Sequence, residues 1–184
     1  MLILKSGKNY LKDNGKFSQS YAEPHPAQAR GNPCGRNFRG EERLPYNKAG
    51  ERNFSIIVDP EQVDIDELKE KGWNIRQGNP NPEDPDYIPP YFLRVKVKFF
   101  PENDDRRRMN PKVIVMTHEG EMLMDENSIG DLDSDEIMKC NMTIAGRWSD
   151  SATYTGITAY LKKMAVRLCE DDDLESLKEG LFEE

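Results

Sequence analysis

Ten consecutive residues, Tyr91 to Phe100, alternate as an extended strand must. Successive strand side chains point to opposite faces. Tyr91, Leu93, Val95, Val97 and Phe99 therefore share one face, an apolar set suited to a core. Phe92, Arg94, Lys96, Lys98 and Phe100 share the other, three cations bracketed by two aromatic rings. This segment ties fold and chemistry together.

The surrounding sequence supplies partners for such a strand. Phe54 to Val58 is an apolar, β-branched run, and shorter strands are expected at Arg36 to Gly40 and Trp73 to Arg76. Val113 to Met116 resumes a strand that turns at Glu119-Gly120, a hairpin. Cys140 to Trp148 and Ile157 to Leu168 are the last strands. In the final one the apolar parity changes from Ile157, Ala159 and Leu161 to Met164, Val166 and Leu168, which a bulge near Lys162-Lys163 reconciles.

One helix is expected from Pro60 to Lys71: Asp59 caps it, Pro60 suits its first position, Gln62 completes a capping box and Gly72 ends it. Short helical turns are expected at Asp125 to Ile129 and Ser134 to Met138. Five prolines between Gly78 and Pro90 impose a protruding loop. No repeat or heptad pattern is present. The expected fold class is mostly β with minor α, an OB-like partly open barrel of five to six strands with one capping helix.

At 184 residues the chain has room for one domain and tails, and 36% hydrophobic against 33% charged residues means a compact core with much solvated chain. Residues 1–35 mix Gly, Asn, Pro, Ser and Lys and read as a basic, mobile arm, opening with a short strand at Leu2 to Leu4. Residues 36–168 form the domain. Residues 169–184 form an acidic tail with eight acids and a single Lys178. The formal charge of −8 hides this segregation: residues 1–50 carry nine basic and four acidic side chains, leaving −13 on the remainder.

Several function classes lose support. Cys34, Cys140 and Cys169 are odd in number and form no C-x-x-C pair, so no metal site or disulfide framework is indicated. The two histidines, His25 and His118, have no serine or cysteine motif beside them, so no catalytic residue is assigned and the chain is not expected to be an enzyme. Asp131 to Glu136 resembles the start of a calcium loop, but Glu136 stands where glycine is needed and Met142 where the bidentate acid belongs. No phosphate-cradling glycine loop occurs, and no cofactor is implied. No apolar run approaches the roughly 20 residues that cross a bilayer, Met1 to Lys5 is too short for a signal-peptide core, and a cytoplasmic protein is expected.

A nucleic-acid-binding module fits better. Cations neutralise phosphates while rings stack on bases whatever the sequence. Lys and Arg also occupy ordinary wet strand faces, so the company of the face matters: Arg106, Arg107 and Arg108 follow directly, Tyr160 and Lys162 share one face of the final strand, and Arg147-Trp148 closes another.

The order of landmarks resembles a family. Asn37-Phe38-Arg39-Gly40, Tyr46 to Phe54, Lys71-Gly72-Trp73-Asn74-Ile75, Tyr91 to Val97, Leu123 to Ile129, Leu132-Asp133 and Gly156 to Lys162 are together similar to tailed-phage accessory proteins of the single-stranded DNA-binding kind, over roughly residues 36–168. The resemblance implies an OB-like fold, single-stranded DNA as partner, and a place in a phage replication or recombination module in the host cytoplasm. The acidic end, with Leu181 and Phe182, is similar to tails that recruit replication or recombination proteins, although here Glu183-Glu184 follow the phenylalanine. Dimerisation through an exposed strand is compatible with such a fold. Two alternatives remain: a phage inhibitor whose acids mimic phosphate against a host nucleic-acid machine, and a nuclease with a carboxylate metal site.

Overall fold

The computed structural model describes residues 2–3, 27–30, 33–45, 47–61, 63–151 and 154–169. Among these, ten strands and one α-helix follow in order: β1 (Leu2–Ile3), β2 (Ala27–Arg30), β3 (Cys34–Asn37), β4 (Arg52–Val58), α1 (Ile65–Glu70), β5 (Ile75–Gln77), β6 (Tyr91–Val97), β7 (Lys112–Thr117), β8 (Gly120–Met124), β9 (Ile137–Ser151) and β10 (Tyr154–Leu168). They join in one sheet, ordered β1-β2-β9-β10-β6-β4-β3, with β5 on β6 and the β7–β8 hairpin on β10. The mostly β expectation, an OB-like partly open barrel with a single helix, holds; six of the strands have five residues or more.

The long hairpin β9–β10 organises the sheet. Its register runs from Tyr154↔Ser151 to Leu168↔Ile137 and shifts between Leu161 and Lys163. The bulge is where the parity change places it, and Lys162 is the extra residue. On its other edge β10 pairs in parallel with β6 before the bulge, Ala159↔Val95 and Tyr160↔Lys96, and with β7 after it, Lys163↔Lys112 to Arg167↔Met116. The chain thus runs along one edge of β10 twice in the same direction, stepping out after Val97 and returning at Lys112. A bulge sharpens local twist, so β10 serves both halves of the curled sheet.

The inner face holds the core. Phe38, Phe54, Ile56, Leu93, Val95, Ile144, Met164 and Val166 are almost wholly buried, and the Phe38 and Phe54 rings lie 5.4 Å apart. The free flank of β3 is braced by the 3-10 turn Ile129–Asp133. Asp133 accepts from Phe38 N at 2.7 Å and Arg39 N at 2.9 Å, and Arg36 Nη1 donates to the Leu132 and Asp135 carbonyls at 2.7 and 2.8 Å. Part of the acidic run Asp131 to Glu136 is therefore an internal brace.

Several local expectations change. The helix spans Ile65–Glu70, not Pro60 to Lys71, because Asp64 caps it by accepting from Glu67 N at 2.9 Å. Asp59 instead accepts from Glu61 N at 2.9 Å in the preceding turn, and the capping role given to Gln62 lies outside the described residues. Gly72 follows the helix with φ of +93°. A Cβ there would also lie 2.6 Å from the Trp148 ring. The expected turn at Ser134 to Met138 is not helical, since Ile137 already begins β9. β3 starts at Cys34, and Ala27–Arg30 form a strand on β9 where the sequence shows no periodicity; backbone ladder bonds along an edge need no particular side chains.

Candidate nucleic-acid interface

The outer face of β6 is set by its ladder neighbours. Leu93, Val95 and Val97 are buried below, with Tyr91 and Phe99 packed on the core, so Phe92, Arg94 and Lys96 point outward. Paired residues in adjacent strands share a face, and the registers build two rows across the sheet. Phe92 stands between Ile57 of β4 and Arg76 of β5, and Lys96 between Asn53 of β4 and Tyr160 of β10. The juxtaposition of Tyr160 and Lys96, distant in sequence, follows from the parallel β6–β10 pairing.

These side chains are not equally available. Lys96 is exposed, while Phe92, Arg94, Tyr160 and Lys162 are half-buried. Phe92 lies against the mouth of the proline loop: a Cβ on Gly78 would come within 3.2 Å of its ring and 3.3 Å of Pro89. Arg94 is held in the sheet. Its Nε and Nη2 donate to Asn53 Oδ1 at 3.1 and 3.0 Å, Nη2 also donates to Asn47 Oδ1, and Asn53 Nδ2 donates to Asn47 Oδ1 at 2.9 Å. Asn47 and Asn53 are buried. Arg94 is thus a brace between strands as well as an outward cation.

β6 ends at Val97, so Lys98 and Phe100 are not the last outward positions of a ten-residue strand. The strand stops where its ladder with β4 runs out at Arg52 and where β10 bulges, its next partner being Lys112. Lys98 and Phe100 instead open the excursion between β6 and β7. Asn110 closes that excursion, accepting from Phe100 N at 2.7 Å and donating to the Phe100 carbonyl at 3.1 Å. Lys98 Nζ lies 5.0 Å and Arg106 Cζ 4.6 Å from the centre of the Phe100 ring. Both separations lie in the cation–π range.

The three arginines occupy the 3-10 turn Asp105–Met109, capped by Asp104. Arg106 forks onto Asp104, Nε to Oδ1 at 2.9 Å and Nη2 to Oδ2 at 2.6 Å, and Arg107 Nη2 meets Glu102 Oε1 at 2.9 Å. The Arg106 side-chain bonds, together with its backbone N–H, pull the Asp104 carboxyl down from the ordinary 3.8 to about 2. Two of the three arginines therefore carry counter-charges within the loop. Arg108 is exposed and makes no ion pair among the described residues.

Lys162, as the bulged residue, sits where the excursion leaves and rejoins the sheet. Arg147 lies opposite Thr158 on the same outer face, whereas Trp148 pairs with Ile157 and rests over Gly72. Arg76, Asp104 and Asn110 escaped the sequence reading. Arg76 had a weak signal, the inward Ile75 followed by an outward cation, but three residues give too little alternation to weigh. Asp104 and Asn110 had none, since their roles depend on loop closure. Leu181 and Phe182 lie outside the described residues. Among the described residues no cluster of His, Cys, Asp or Glu is disposed to hold a metal ion, and no helix is long and apolar enough to cross a membrane.

Residues 34–179 match the model of a family described as "Putative phage ssDNA-binding domain". No curated protein matches the chain. Among the solved structures similar to it are two of one phage protein. The single-stranded DNA-binding protein from bacteriophage Enc34 in complex with ssDNA is 14% identical, with 79% of this chain and 87% of that chain covered and a TM-score of 0.49. A C-terminal truncation of the Enc34 protein is 15% identical, with 79% and 85% covered and a TM-score of 0.44.

Proposed function

We propose, from the premise that the chain belongs to the phage ssDNA-binding domain family, that it binds single-stranded DNA in a sequence-tolerant way across the outer face of β6 and the loop that follows it. The observation that carries this reading is the repeated pairing of ring and cation: Tyr160 beside Lys96 in the ladder, and Phe100 flanked by Lys98 and Arg106. Phosphates call for the cations and bases for the rings. Within this reading Phe92, Arg94, Lys96, Lys98, Phe100, Arg106, Arg107, Arg108, Tyr160 and Lys162 form the interface, and Arg76 extends it past Phe92.

The finer parts of the reading are a non-catalytic role in phage replication or recombination inside the host cell, with the tail around Leu181 and Phe182 docking partner proteins. Labelled oligo-dT, mixed-sequence single strands and duplexes, titrated by fluorescence anisotropy at low and physiological salt, test the core claim. Salt-sensitive binding that favours single strands supports it; absence of binding even at low salt overturns it. Intact oligonucleotides after incubation with magnesium or manganese support the non-catalytic role, and cleavage products overturn it.

A further inference from the structure

The position of Arg106 raises a question of sign. A carboxylate beside a DNA-contacting arginine ordinarily lowers the local positive potential and opposes phosphate binding. Asp104 is the less exposed member of this pair, at 21% against 60% for Arg106. It takes four bonds from Arg106: the backbone N–H at 2.8 Å, the two side-chain contacts of the fork, and a longer one from Nε to Oδ2 at 3.2 Å. The fork grips one edge of the guanidinium while the ring of Phe100 lies 4.6 Å from its carbon. Phe100 is itself fixed through both of its backbone polar groups by Asn110.

A guanidinium gripped at its edge, with an aromatic ring on one side and open solvent elsewhere, is a planar surface held in place. Guanidinium planes stack on nucleobases as aromatic rings do. An arginine free to rotate would lose side-chain entropy on doing so. Here the fork and the ring supply part of that ordering before binding. Lys98, 5.0 Å from the same ring, keeps a cation at the loop without depending on the fork.

We propose that Asp104 is a positioning residue, holding the Arg106 guanidinium over Phe100 as the stacking surface that the loop offers to a base of single-stranded DNA. This rests on the DNA-binding reading above. It deepens that reading by assigning the loop to bases, with Lys96 and Lys98 left to the phosphates.

The test compares Asp104→Asn and Arg106→Lys with the full-length wild-type chain on oligo-dT and on an abasic oligonucleotide of equal length. Asp104→Asn removes a negative charge, so a purely electrostatic loop predicts tighter binding to both. Pre-orientation predicts the reverse for dT, about three- to tenfold weaker, a fraction of one base-stacking contact, with the abasic oligonucleotide bound as well as before or better. Arg106→Lys retains the charge but not the plane, and is expected to lose the same base-dependent increment without a change in salt slope. Arg106 is exposed, and thermal melting checks that both variants fold. Tighter dT binding by Asp104→Asn, or equal losses on dT and abasic strands, overturns the assignment. A wild-type chain that binds no single strand overturns the underlying function instead, so the two failures are distinct.

Discussion

Arg94 and Asn53 meet across β6 and β4, with the guanidinium Nε and Nη2 both donating to Asn53 Oδ1 at 3.1 and 3.0 Å. Asn53 is buried and passes the contact on to Asn47. Removing the amide leaves a half-buried guanidinium short of acceptors. Asn53→Ala is therefore expected to destabilise the fold by about 1–3 kcal/mol, seen as a lower urea midpoint with an unchanged m-value. A midpoint equal to wild type would mean that water replaces the amide at no cost.

Lys96 is the cleaner probe of the proposed interface, because it is exposed and stands beside Tyr160 without the bracing contacts of Arg94. Lys96→Glu is expected to weaken single-strand binding and to flatten the dependence of log K on log salt by about 0.7 per lost phosphate contact. Stability should change by no more than about 0.5 kcal/mol, as at other surface positions. An unchanged slope would remove the β6 face from the interface.

Asp133 ties the 3-10 turn after β8 to the backbone just past β3 through Phe38 N and Arg39 N. Asp133→Ala leaves both donors without this acceptor, and the one on Phe38 lies beside a wholly buried ring. A loss of about 1–3 kcal/mol is expected, with faster amide exchange at Phe38 than at Leu93. Unaltered exchange at Phe38 would show that the turn does not brace the open flank.

The Cys140 thiol is almost wholly buried, and desolvation lifts its pKa from 9.0 to about 12. Only the thiolate is nucleophilic, so Cys140 is expected to resist aromatic disulfide reagents until the protein unfolds, while Cys34 and Cys169 are partly accessible. The sign of the linkage follows. Between pH 9 and 12 the folded state holds a proton that the unfolded state has released, so this group's contribution to stability falls as pH rises through that window. Cysteine→Ser at position 140 should remove that component of alkaline destabilisation; an identical alkaline profile would rule it out.

Removing residues 170–184 takes away the acidic segment. If that segment competes with phosphate for the basic face, single-strand affinity rises or stays equal after its removal. A fall in affinity would assign the tail to binding instead.

The sequence by itself determined the two faces of β6, the bulge in β10 and the mostly β class. Each of these rests on a local rule, the two-residue period of a strand, which a run as long as Tyr91 to Val97 displays without its neighbours. It also exposed the cations and rings from which the proposed interface is built. Tertiary structure alone decided which of them meet. Lys96 reaches Tyr160 only because β6 and β10 pair in parallel, and β6 ends at Val97, where its ladder with β4 also runs out at Arg52 and β10 changes neighbour at its bulge. The same closure turned Arg94 into a brace, set Arg106 on Asp104 over Phe100, and made Asp133 structural. Those contacts depend on ladder register and loop closure between residues far apart in the chain, and no local period encodes them.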